Sequence, residues 1–409
     1  MKTIKDSVHD HITIDGLALD LLDTSPVQRL RHIKQLGTVS LVYPSANHTR
    51  FEHSIGVYHL ACEVTNHLEI PSEIANHIRA AAMLHDIGHS PYSHNIEPLL
   101  NHRIGFEHEN IEELLTSSPL CSVLETHNLD ANLIANLIIG KGHYGQIISS
   151  SIDVDRMDYL VRDAHHTGVP YGAIDHGRLV RELTFIDDEL VLSASGGNVQ
   201  AAESLLLART LMGPTVYNHH VARISKSILR RATEFLLDSK VIKENDLRNM
   251  DDHDLHAALR SNSITAPLEK RISNRNLYKR AIWAEMKDVP DDVINADYDS
   301  IHTFENRIAS KLNIDRQSVI IDIPSSPSTT AKEIKIKVGD EIRMLHDHSP
   351  LIDALQDAQK EQWRLGVYAP TNLVDRVGSA AENELNLETN GHLISMRSKK
   401  NFSLDKFIN

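Results

Sequence analysis

The spacing of apolar and polar positions predicts helices along most of the first 240 residues. Proline and glycine mark where these helices begin, break and end: Ser25-Pro26 suits a first helical turn, Gly37 ends a helix, and Gly213-Pro214 interrupts the longest segment. The predicted helices cover residues 17–36, 52–67, 72–88, 106–115, 128–139, 152–165 and 201–237.

Short alternating segments predict a smaller amount of β structure. Residues 11–15 form a strand or part of a hairpin, and residues 189–193 a strand that a turn at Gly196-Gly197 follows. Beyond residue 240 the pattern is mixed. It predicts helices at 243–259, 278–287 and 351–363, strands at 319–323, 333–337 and 366–370, and a flexible loop at 324–330.

This change of pattern divides the chain into three parts. Residues 1–240 form a helical core, residues 241–378 a helical and mixed α+β lobe, and residues 379–409 a polar, loosely ordered tail. The expected fold class is therefore mainly α, with a helical core, small β-hairpins and a smaller α+β C-terminal lobe.

Composition and charge narrow the class of protein. With 409 residues, 41% of them hydrophobic and 24% charged, the chain can bury a sizeable core. The formal net charge of −14 argues against a general nucleic-acid or anionic-membrane binder. A small basic pocket for a phosphate substrate is compatible with that charge.

Cysteine usage and the absence of long apolar runs indicate the compartment. Cys62 and Cys121 alone provide neither a disulfide framework nor a cysteine zinc site, which points to a reducing cytoplasm. The segment 1–9 carries an acid and a histidine where a secretory signal would be apolar, and no run approaches the roughly 18 apolar residues of a membrane span. We expect a soluble, cytoplasmic protein.

Residues 79–97 carry the strongest chemical signal. The apolar run Ala-Ala-Ala-Met-Leu is followed at once by His85-Asp86, and then by His89 and His94. A buried carboxylate or charged imidazole needs a partner, and a metal ion suits both. A solvated helix end with satisfied histidines would need polar residues before His85, so the sequence favours a metal site.

Two histidines and two carboxylates are the candidate metal ligands. Such a mixed nitrogen and oxygen site leaves room for water and favours a transition ion over calcium. The ion would lower the pKa of bound water and polarise a phosphoryl oxygen. The sequence does not distinguish Fe, Mn, Ni, Co, Zn and Mg. The four ligands are His53, His85, Asp86 and Asp155.

The helix predicted at 152–165 presents more than a ligand. Asp155, Tyr159 and Asp163 stand four residues apart and so share one face. The alternative is an exposed charged stripe of ion pairs, which suits Asp158 and Arg162 but not Asp155.

Three further histidines are candidates for proton transfer, because imidazole titrates near neutrality. His89, His94 and His108 would surround the metal, and Glu97, three residues after His94, could orient that ring. Taken singly, His89 and His108 fit capping or surface roles as well as catalysis.

These motifs together resemble a known family, the HD-domain metal phosphohydrolases with their H…HD…D signature. The longer strings are similar to the deoxynucleoside triphosphate triphosphohydrolase branch, which includes the vertebrate SAM-and-HD-domain protein. The resemblance covers about residues 1–235 well. It is carried by Gln28-Arg-Leu-Arg31, His48-Thr-Arg-Phe-Glu-His-Ser-Ile-Gly56, His85-Asp-Ile-Gly-His-Ser-Pro-Tyr-Ser-His94 and Ile152-Asp-Val-Asp-Arg-Met-Asp-Tyr159.

The resemblance implies an HD-type helical core and hydrolysis of a dNTP to deoxynucleoside and inorganic triphosphate. It implies that His108 protonates the leaving 5′-oxygen with His94 and Glu97 as an assisting pair, where the family usually has Asp at position 97. A second Mg²⁺ that accompanies the nucleotide fits the same picture.

The resemblance also implies a set of substrate-binding residues. Arginines would hold phosphates, for which the guanidinium fork is suited. Gln35 and Asp163 would bind the sugar 3′-hydroxyl, and Tyr217 would stack under the sugar and disfavour a 2′-hydroxyl. The full set is Gln35, Leu36, Arg50, Arg156, Tyr159, Asp163, Arg209 and Tyr217.

In the same family an activating nucleotide binds at a subunit interface, which implies a homo-oligomer, either dimer or tetramer. The matching residues here are Lys2, Asp23, Gln28 and Arg31, although the flanking segment 6–10 departs from the family pattern. The alternative, that Asp23 and Arg31 form ordinary helix-end salt bridges, is equally compatible with the sequence.

Two other functions compete with the dNTP triphosphohydrolase. One is an HD-type nucleotidase or phosphodiesterase that acts on another phosphate ester. The other is a non-catalytic nucleotide-sensing scaffold, against which the intact ligand set argues. The three basic side chains near the site, Arg50, Arg156 and Arg209, favour a triphosphate substrate.

Overall fold

The computed structural model describes residues 1–194, 198–327, 334–339 and 341–387, and in them the chain is mainly helical, as predicted. The helices are α1 Gly16–Leu22, α2 Ser25–Arg29, α3 Arg50–His67, α4 Ser72–Leu84, α5 Glu97–Ile104, α6 Glu112–Thr116, α7 Ser118–Thr126, α8 Ala131–Ile138, α9 Val154–Thr167, α10 His176–Glu182, α11 Asn198–Met212, α12 His220–Asp238, α13 Glu244–Asn249, α14 Asp252–Ser261, α15 Ala266–Ser273, α16 Asp291–Ile294, α17 Tyr298–Leu312, α18 Leu345–His348, α19 Pro350–Gln362 and α20 Val374–Glu384.

The strands form three small sheets. An N-terminal hairpin pairs β1 with β2, a second sheet has the order β3-β4-β7-β8, and a third has the order β5-β9-β6. The strands are β1 Lys2–Asp6, β2 Asp10–Ile14, β3 Leu183–Ile186, β4 Glu189–Ser193, β5 Lys279–Glu285, β6 Ile320–Asp322, β7 Lys335–Val338, β8 Glu341–Met344 and β9 Arg364–Ala369.

The apolar side chains bury in three clusters. The largest lies between α3, α4, α8, α9 and α11. A second joins α5, α12, α14 and α15, and a third fills the space between the β5-β9-β6 sheet and helices α17 and α20. No helix in the described ranges combines the length and the apolar character that a bilayer crossing needs.

Helices α3, α4 and α9 pack together at the centre of the largest cluster, and this packing positions the site. The small side chains of residues 80–82 are buried on α4, which lets α3 approach closely. On the other side of α3, a Cβ at Gly56 would lie 1.9 Å from Asp158 Oδ1 of α9. Only glycine therefore permits this approach of α3 to α9.

The predicted helices at 52–67, 72–88 and 152–165 are confirmed as α3, α4 and α9, with one difference that matters for the site. Helix α4 ends at Leu84 and not at residue 88. His85 and Asp86 therefore lie in the turn that follows α4, where the directions of their side chains no longer follow the period of the helix.

The segment predicted as one interrupted helix at 201–237 is α11 and α12, joined by a π-helical turn over Gly213–Tyr217. Pro214 in this turn lacks the amide proton that a regular helix needs. The wider turn brings Tyr217 to the cavity described below.

Several other predicted elements need correction. Residues 278–287 are not a helix: β5 covers most of them, because pairing with β9 buries Ala281, Ile282 and Ala284. The segment 106–115 is helical only from Glu112, and the helix predicted at 243–259 is broken at Asp251, which caps α14.

The predicted loose tail is also wrong as far as the structure describes it. Residues 379–387 belong to α20 and its end, and Val377, Ala381 and Leu385 are buried against the third sheet because they recur at helical spacing. The predicted turn at 196–197, part of the loop at 324–330, Glu333 and the tail beyond residue 387 lie outside the described residues.

Candidate metal centre and active site

The structure brings the four predicted metal ligands together from three elements. His53 lies on α3, His85 and Asp86 in the turn after α4, and Asp155 in the first turn of α9. His53 Nε2 lies 2.9 Å from Asp155 Oδ1 and 3.3 Å from His85 Nε2. Residues more than 100 positions apart thus meet at one point.

The remaining distances fit a single cation. His85 Nε2 lies 3.4 Å from Asp86 Oδ1 and 3.8 Å from Asp155 Oδ1, and His53 Nε2 lies 3.9 Å from Asp86 Oδ2. Two ligand atoms that are each about 2.1 Å from one ion are about 3–4 Å apart. The ligand atoms of His53, His85 and Asp86 all lie within 4.8 Å of one another, as in a metal site, and Asp155 Oδ1 lies beside both imidazoles.

Both imidazoles are oriented for this role by their other nitrogen. His53 Nδ1 is hydrogen-bonded to Asp158 Oδ2 at 2.7 Å, and His85 Nδ1 to the carbonyl oxygen of Ala82 at 2.8 Å. Such bonds set the tautomer so that Nε2 faces the ion. Burial opposes a charge on His53, but the hydrogen bonds to Asp155 and Asp158 raise its pKa to about 10.

The raised pKa reflects negative charge around the ring: Asp155 and Asp86 lie near Nε2, where they would also attract a cation, and Asp158 lies at Nδ1. Asp86 contributes to it: burial opposes its ionisation, but Arg50 and the neighbouring histidines hold the pKa of its carboxyl well below the usual range. The donor set therefore fits a divalent metal ion.

The prediction that Asp158 and Arg162 belong to an exposed charged stripe is wrong. Both side chains are fully buried, and Arg162 Nε and Nη2 each donate to Asp158 at 2.8 Å. The reason is the period of the helix: three residues after Asp155, position 158 faces α3 and reaches the far side of His53.

Opposite the metal donors lies a cluster of three histidines and one glutamate. Glu97 Oε2 accepts a hydrogen bond from His94 Nδ1 at 2.8 Å, and Glu97 Oε1 accepts from His108 Nδ1 and, at 3.1 Å, from the His108 amide. Burial raises the pKa of Glu97, but these two histidines outweigh it and hold the pKa well below the usual range. Glu97 orients two rings, and not His94 alone as predicted.

His89 stands between the two groups. Its Nε2 lies 3.2 Å from Asp86 Oδ1, and its ring stacks on that of His108 with the centroids 3.9 Å apart. Burial and the charge of Arg50 lower the pKa of His89 well below its ordinary value. At neutral pH His89 is therefore uncharged and serves better as a neutral hydrogen-bonding group than as a general acid.

These two groups line one cavity of about 410 Å³. Its volume lies in the range of small-molecule sites, and polar groups converge on it from both walls. Among the predicted residues it is lined by Gln35, Leu36, Arg50, His53, His85, Asp86, His89, His94, His108, Asp155, Tyr159, Asp163 and Tyr217.

A polar cluster at one end of this cavity joins α9 to the turn before α12. Asp163 Oδ1 is hydrogen-bonded to His48 Nε2 at 2.7 Å, and Asp163 Oδ2 accepts from the Tyr217 hydroxyl at 2.9 Å. Burial and the neighbouring Asp163 raise the pKa of Tyr217, so that this phenol remains a donor.

The positive charges are arranged differently from the prediction. Arg50 lines the cavity and donates to Asp86 Oδ2 at 2.7 Å and to Ser93 Oγ at 2.6 Å. Arg156 lines a neighbouring cleft and pairs with Asp153, and Arg209 lines another cleft beyond Tyr159. Arg156 and Arg209 are thus adjacent to the cavity and do not line it.

The cavity contains a second cation that was not predicted from the sequence. Lys226 on α12 lines it and donates to the Tyr217 carbonyl oxygen at 3.2 Å. Burial lowers its pKa to about 8, which leaves it mostly protonated at neutral pH. His48 was missed as well, although it begins one of the family-like strings. Nothing in the spacing of Lys226 on a long amphipathic helix distinguishes it from a surface lysine.

The four residues of the predicted regulatory site lie together on the surface. Lys2 Nζ is 3.5 Å from Asp23 Oδ2, and Gln28 accepts from Arg31 Nε at 2.8 Å. The Arg31 guanidinium lies 3.4 Å from the centroid of the Phe51 ring. The ion pair of Asp23 is made with Lys2 and not with Arg31.

Comparison with known families gives two matches along the chain. A family model described as the HD domain matches residues 50–163, and one described as the HD associated region matches residues 174–396. The first range contains all four metal donors. The second covers more than half of the chain and includes Arg209, Tyr217 and Lys226.

Three proteins illustrate the similarity. An uncharacterized protein of Methanocaldococcus jannaschii is 34% identical over 97% of this chain and 87% of its own length. The deoxynucleoside triphosphate triphosphohydrolase SAMHD1 homolog of Dictyostelium discoideum is 32% identical over 68% of this chain and 59% of its own length. The crystal structure of a phosphohydrolase from Bacteroides thetaiotaomicron superimposes with a TM-score of 0.71 at 27% identity, over 90% of this chain and all of that one.

Proposed function

Because the chain belongs to the HD-domain phosphohydrolases that carry an HD-associated region, we propose that it hydrolyses deoxynucleoside triphosphates to deoxynucleoside and inorganic triphosphate. The observation that carries this proposal is the pairing of Tyr217 with Asp163 in the cavity that the metal donors line. A carboxylate and a phenol beside a cation site suit a substrate with a sugar hydroxyl and a phosphate chain.

The sugar end of the cavity supports selection of a deoxyribose. Asp163, held by His48 and Tyr217, can accept a hydrogen bond from a 3′-hydroxyl, and Gln35 Oε1 is a buried acceptor without a partner among the described residues. The Tyr217 ring lies beside this position, so a 2′-hydroxyl would have to displace it or remain without a partner.

The metal end supports attack on the phosphate that is joined to the sugar. When bound, a divalent ion supplies Lewis-acid polarisation of a phosphoryl oxygen and acidifies water. Arg50 adds a positive charge beside Asp86. Arg156 and Arg209, in the clefts on either side, would contact the outer phosphates if the chain of phosphates extends beyond the cavity.

The histidine cluster supports protonation of the leaving 5′-oxygen. Glu97 occupies the Nδ1 atoms of both His94 and His108, which leaves their Nε2 atoms for the substrate. Burial lowers the pKa of His94 although its hydrogen bond to Glu97 opposes that shift, so His94 suits an assisting role better than that of the acid. His108 is the proposed acid and His94 its assistant.

The decisive experiment identifies the products. The protein, of known metal content, is incubated with a panel of dNTPs and rNTPs, and the products are separated by anion-exchange chromatography. Inorganic triphosphate and deoxynucleoside are expected. Release of pyrophosphate or orthophosphate instead would refute this reaction.

The position of the arginines favours a second candidate, an HD-type nucleotidase or phosphodiesterase for a more compact ester. Among the described arginines and lysines, Arg50 and Lys226 line the cavity itself, and one phosphate group needs no more. In the same assay, deoxynucleoside monophosphates would then release orthophosphate while the triphosphates remain intact.

We also propose that a nucleotide regulates the enzyme at the surface group of Lys2, Asp23, Gln28 and Arg31, and that the protein is a dimer or tetramer. The two cations Lys2 and Arg31 suit a phosphate group, and the Arg31 guanidinium lies over the buried Phe51 ring, 3.4 Å from its centroid. Light scattering with and without a second nucleotide, together with rates for Asp23→Ala, tests both statements. Unchanged mass and rates would refute them.

A further inference from the structure

The carboxylate of Asp158 is the centre of a buried network behind the metal site. It binds His53 Nδ1 at 2.7 Å, two nitrogens of Arg162 at 2.8 Å each, and His9 Nε2 at 2.7 Å. The side chains of these residues are at most 1% exposed. Every lone pair of the carboxylate is therefore occupied, which fixes its orientation.

The network continues into the N-terminal hairpin. Arg162 Nη1 and Nη2 donate to the two oxygens of Asp6 at 2.8 and 3.2 Å. Asp6 Oδ1 also accepts from the amides of Val8 and His9, at 2.9 and 2.8 Å. Asp6 thus shapes the turn between β1 and β2 and at the same time pairs with the arginine that holds Asp158.

The packing around the network leaves no room for another arrangement. A Cβ at Gly56, one turn after His53, would lie 1.9 Å from Asp158 Oδ1 and 2.4 Å from Arg162 Nη2. The rings of His59 and His176 lie 5.1 and 5.3 Å from that of His9 and close its outer side. The hairpin turn is therefore the cover of a closed polar core.

We propose that the turn of the N-terminal hairpin is a positioning element of the metal centre, in which His9 and Asp6 fix the Asp158–Arg162 pair that presents His53 Nε2 to the cation. His9 and Asp6 touch neither the cation nor the substrate. They act through Asp158, as carboxylates that hydrogen-bond to ligating histidines do in other metal sites.

This arrangement couples metal binding to docking of the hairpin. If displacement of the turn weakens the hold on His53, then the ion must in return stabilise the docked turn, because such coupling is reciprocal. The inference rests on the metal centre of the proposed function but not on its substrate, so metal-affinity data test it whichever phosphate ester the enzyme hydrolyses.

The direct test compares two substitutions of one residue. His9→Ala removes the donor to Asp158, whereas His9→Gln keeps an N–H donor at a similar reach. Binding of Co²⁺ to the full-length, chelator-stripped protein is measured by calorimetry. We expect roughly tenfold weaker Co²⁺ binding for His9→Ala, the size of effect seen when a group that orients a metal ligand is removed. Near wild-type affinity is expected for His9→Gln. Lys5→Ala, an exposed change in the same hairpin, is the matched control.

Folding of each variant is checked by circular dichroism before titration. A folded His9→Ala protein that binds Co²⁺ as tightly as wild type would overturn the proposal, as would equal losses in His9→Ala and Lys5→Ala. A loss in His9→Gln equal to that in His9→Ala would also count against it, because a mere packing defect would treat both alike.

If His9→Ala does not fold, hydrogen exchange on the wild-type protein decides. Saturation with Co²⁺ should slow exchange of the amides in residues 2–10 several-fold, while the distant hairpin of β7 and β8 should not change. Equal exchange in residues 2–10 with and without the ion would overturn the coupling.

Discussion

The two sides of the cavity differ in how their side chains are held. The metal wall consists of His53, His85, Asp86 and Asp155, and the histidine wall of His89, His94 and His108. On the metal wall three of the four ligands have a second bond from elsewhere in the fold: His53 from Asp158, His85 from a carbonyl of α4, and Asp86 from Arg50. On the histidine wall, Glu97 alone joins His94 to His108, and the His94 side chain is 65% exposed. The ligands of the metal wall are buried except for the partly exposed Asp155, whereas the histidine wall opens to solvent at His94.

The difference follows from what each wall has to do. A cation site gains affinity and selectivity when its ligands are preorganised, so its charges are buried and cross-linked. A proton-transfer group must reach a leaving oxygen, exchange its proton with water and let the product leave. His89, which lies 3.2 Å from Asp86 and stacks on His108, joins the two walls.

The largest effect should come from breaking the metal wall. Asp155→Ala removes one ligand and the partner of His53 Nε2. We expect metal content to fall close to zero and kcat to fall by about 10³-fold or more, since the ion provides several kcal/mol of transition-state stabilisation. Metal analysis and product release measure both. The exposed substitution His165→Ala on the same helix is the control, and full activity in Asp155→Ala would exclude the site.

The sequence is informative about this wall because its signals are local. The change from apolar residues to His85-Asp86 marks a buried helix end, and Asp155, Tyr159 and Asp163 share a helical face, as the structure shows. Two histidines and two carboxylates suit a single ion, so the four donors could be grouped from their residue types alone.

What the sequence does not reveal depends on tertiary packing. Asp158 and Arg162 look like a surface ion pair until α3 covers them, and Lys226 looks like a surface lysine until the turn before α12 folds beside it. The strand at 279–285 has residues that favour helix, and only its pairing with β9 decides otherwise.

The histidine wall should respond to a change that leaves the metal in place. Glu97→Gln keeps the size of the side chain but removes the charge that two histidines share. We expect kcat to fall by roughly 10²-fold with little change in KM and none in metal content, as for loss of general acid catalysis. Steady-state kinetics and metal analysis check this.

Glu97→Asp sharpens the same comparison, because the shorter chain cannot bridge both rings. An intermediate rate is expected. Glu112→Gln, an exposed residue on α6, serves as the control. If Glu97→Gln lost its metal together with its activity, the two walls would not be independent, and the division of labour proposed here would be wrong.

The sugar end should affect selectivity more than rate. Tyr217→Ala opens the space beside Asp163, and we expect discrimination against rNTPs to weaken by about tenfold, the size of one lost steric or hydrogen-bond contact. Tyr217→Phe keeps the ring and removes only the bond to Asp163, so it should discriminate nearly as well as wild type. Ratios of kcat/KM for paired dNTP and rNTP measure this, and an unchanged ratio in Tyr217→Ala would remove that residue from the pocket.

The smallest effect concerns how the histidine wall is attached to the second half of the chain. Asp252 accepts hydrogen bonds from the amides of Tyr92 at 2.6 Å and Lys34 at 3.0 Å, and its side chain is buried. Burial outweighs these bonds and raises its pKa from 3.8 to about 6. The folded state therefore binds more protons than the unfolded state between these values, and stability from this group falls as pH rises through that window.

Asp252→Asn cannot ionise, and its single oxygen keeps the bond to one of the two amides, since Tyr92 and Lys34 donate to different oxygens of Asp252. Relative to wild type, its free energy of unfolding should therefore increase by about 1–3 kcal/mol between pH 4 and pH 7. Urea denaturation at fixed metal content across this range measures the difference, with the exposed Asp292→Asn as control. If the difference in free energy of unfolding stayed constant with pH, Asp252 would ionise in the folded protein as readily as in the unfolded chain. Its two hydrogen bonds to backbone amides would then compensate fully for its burial.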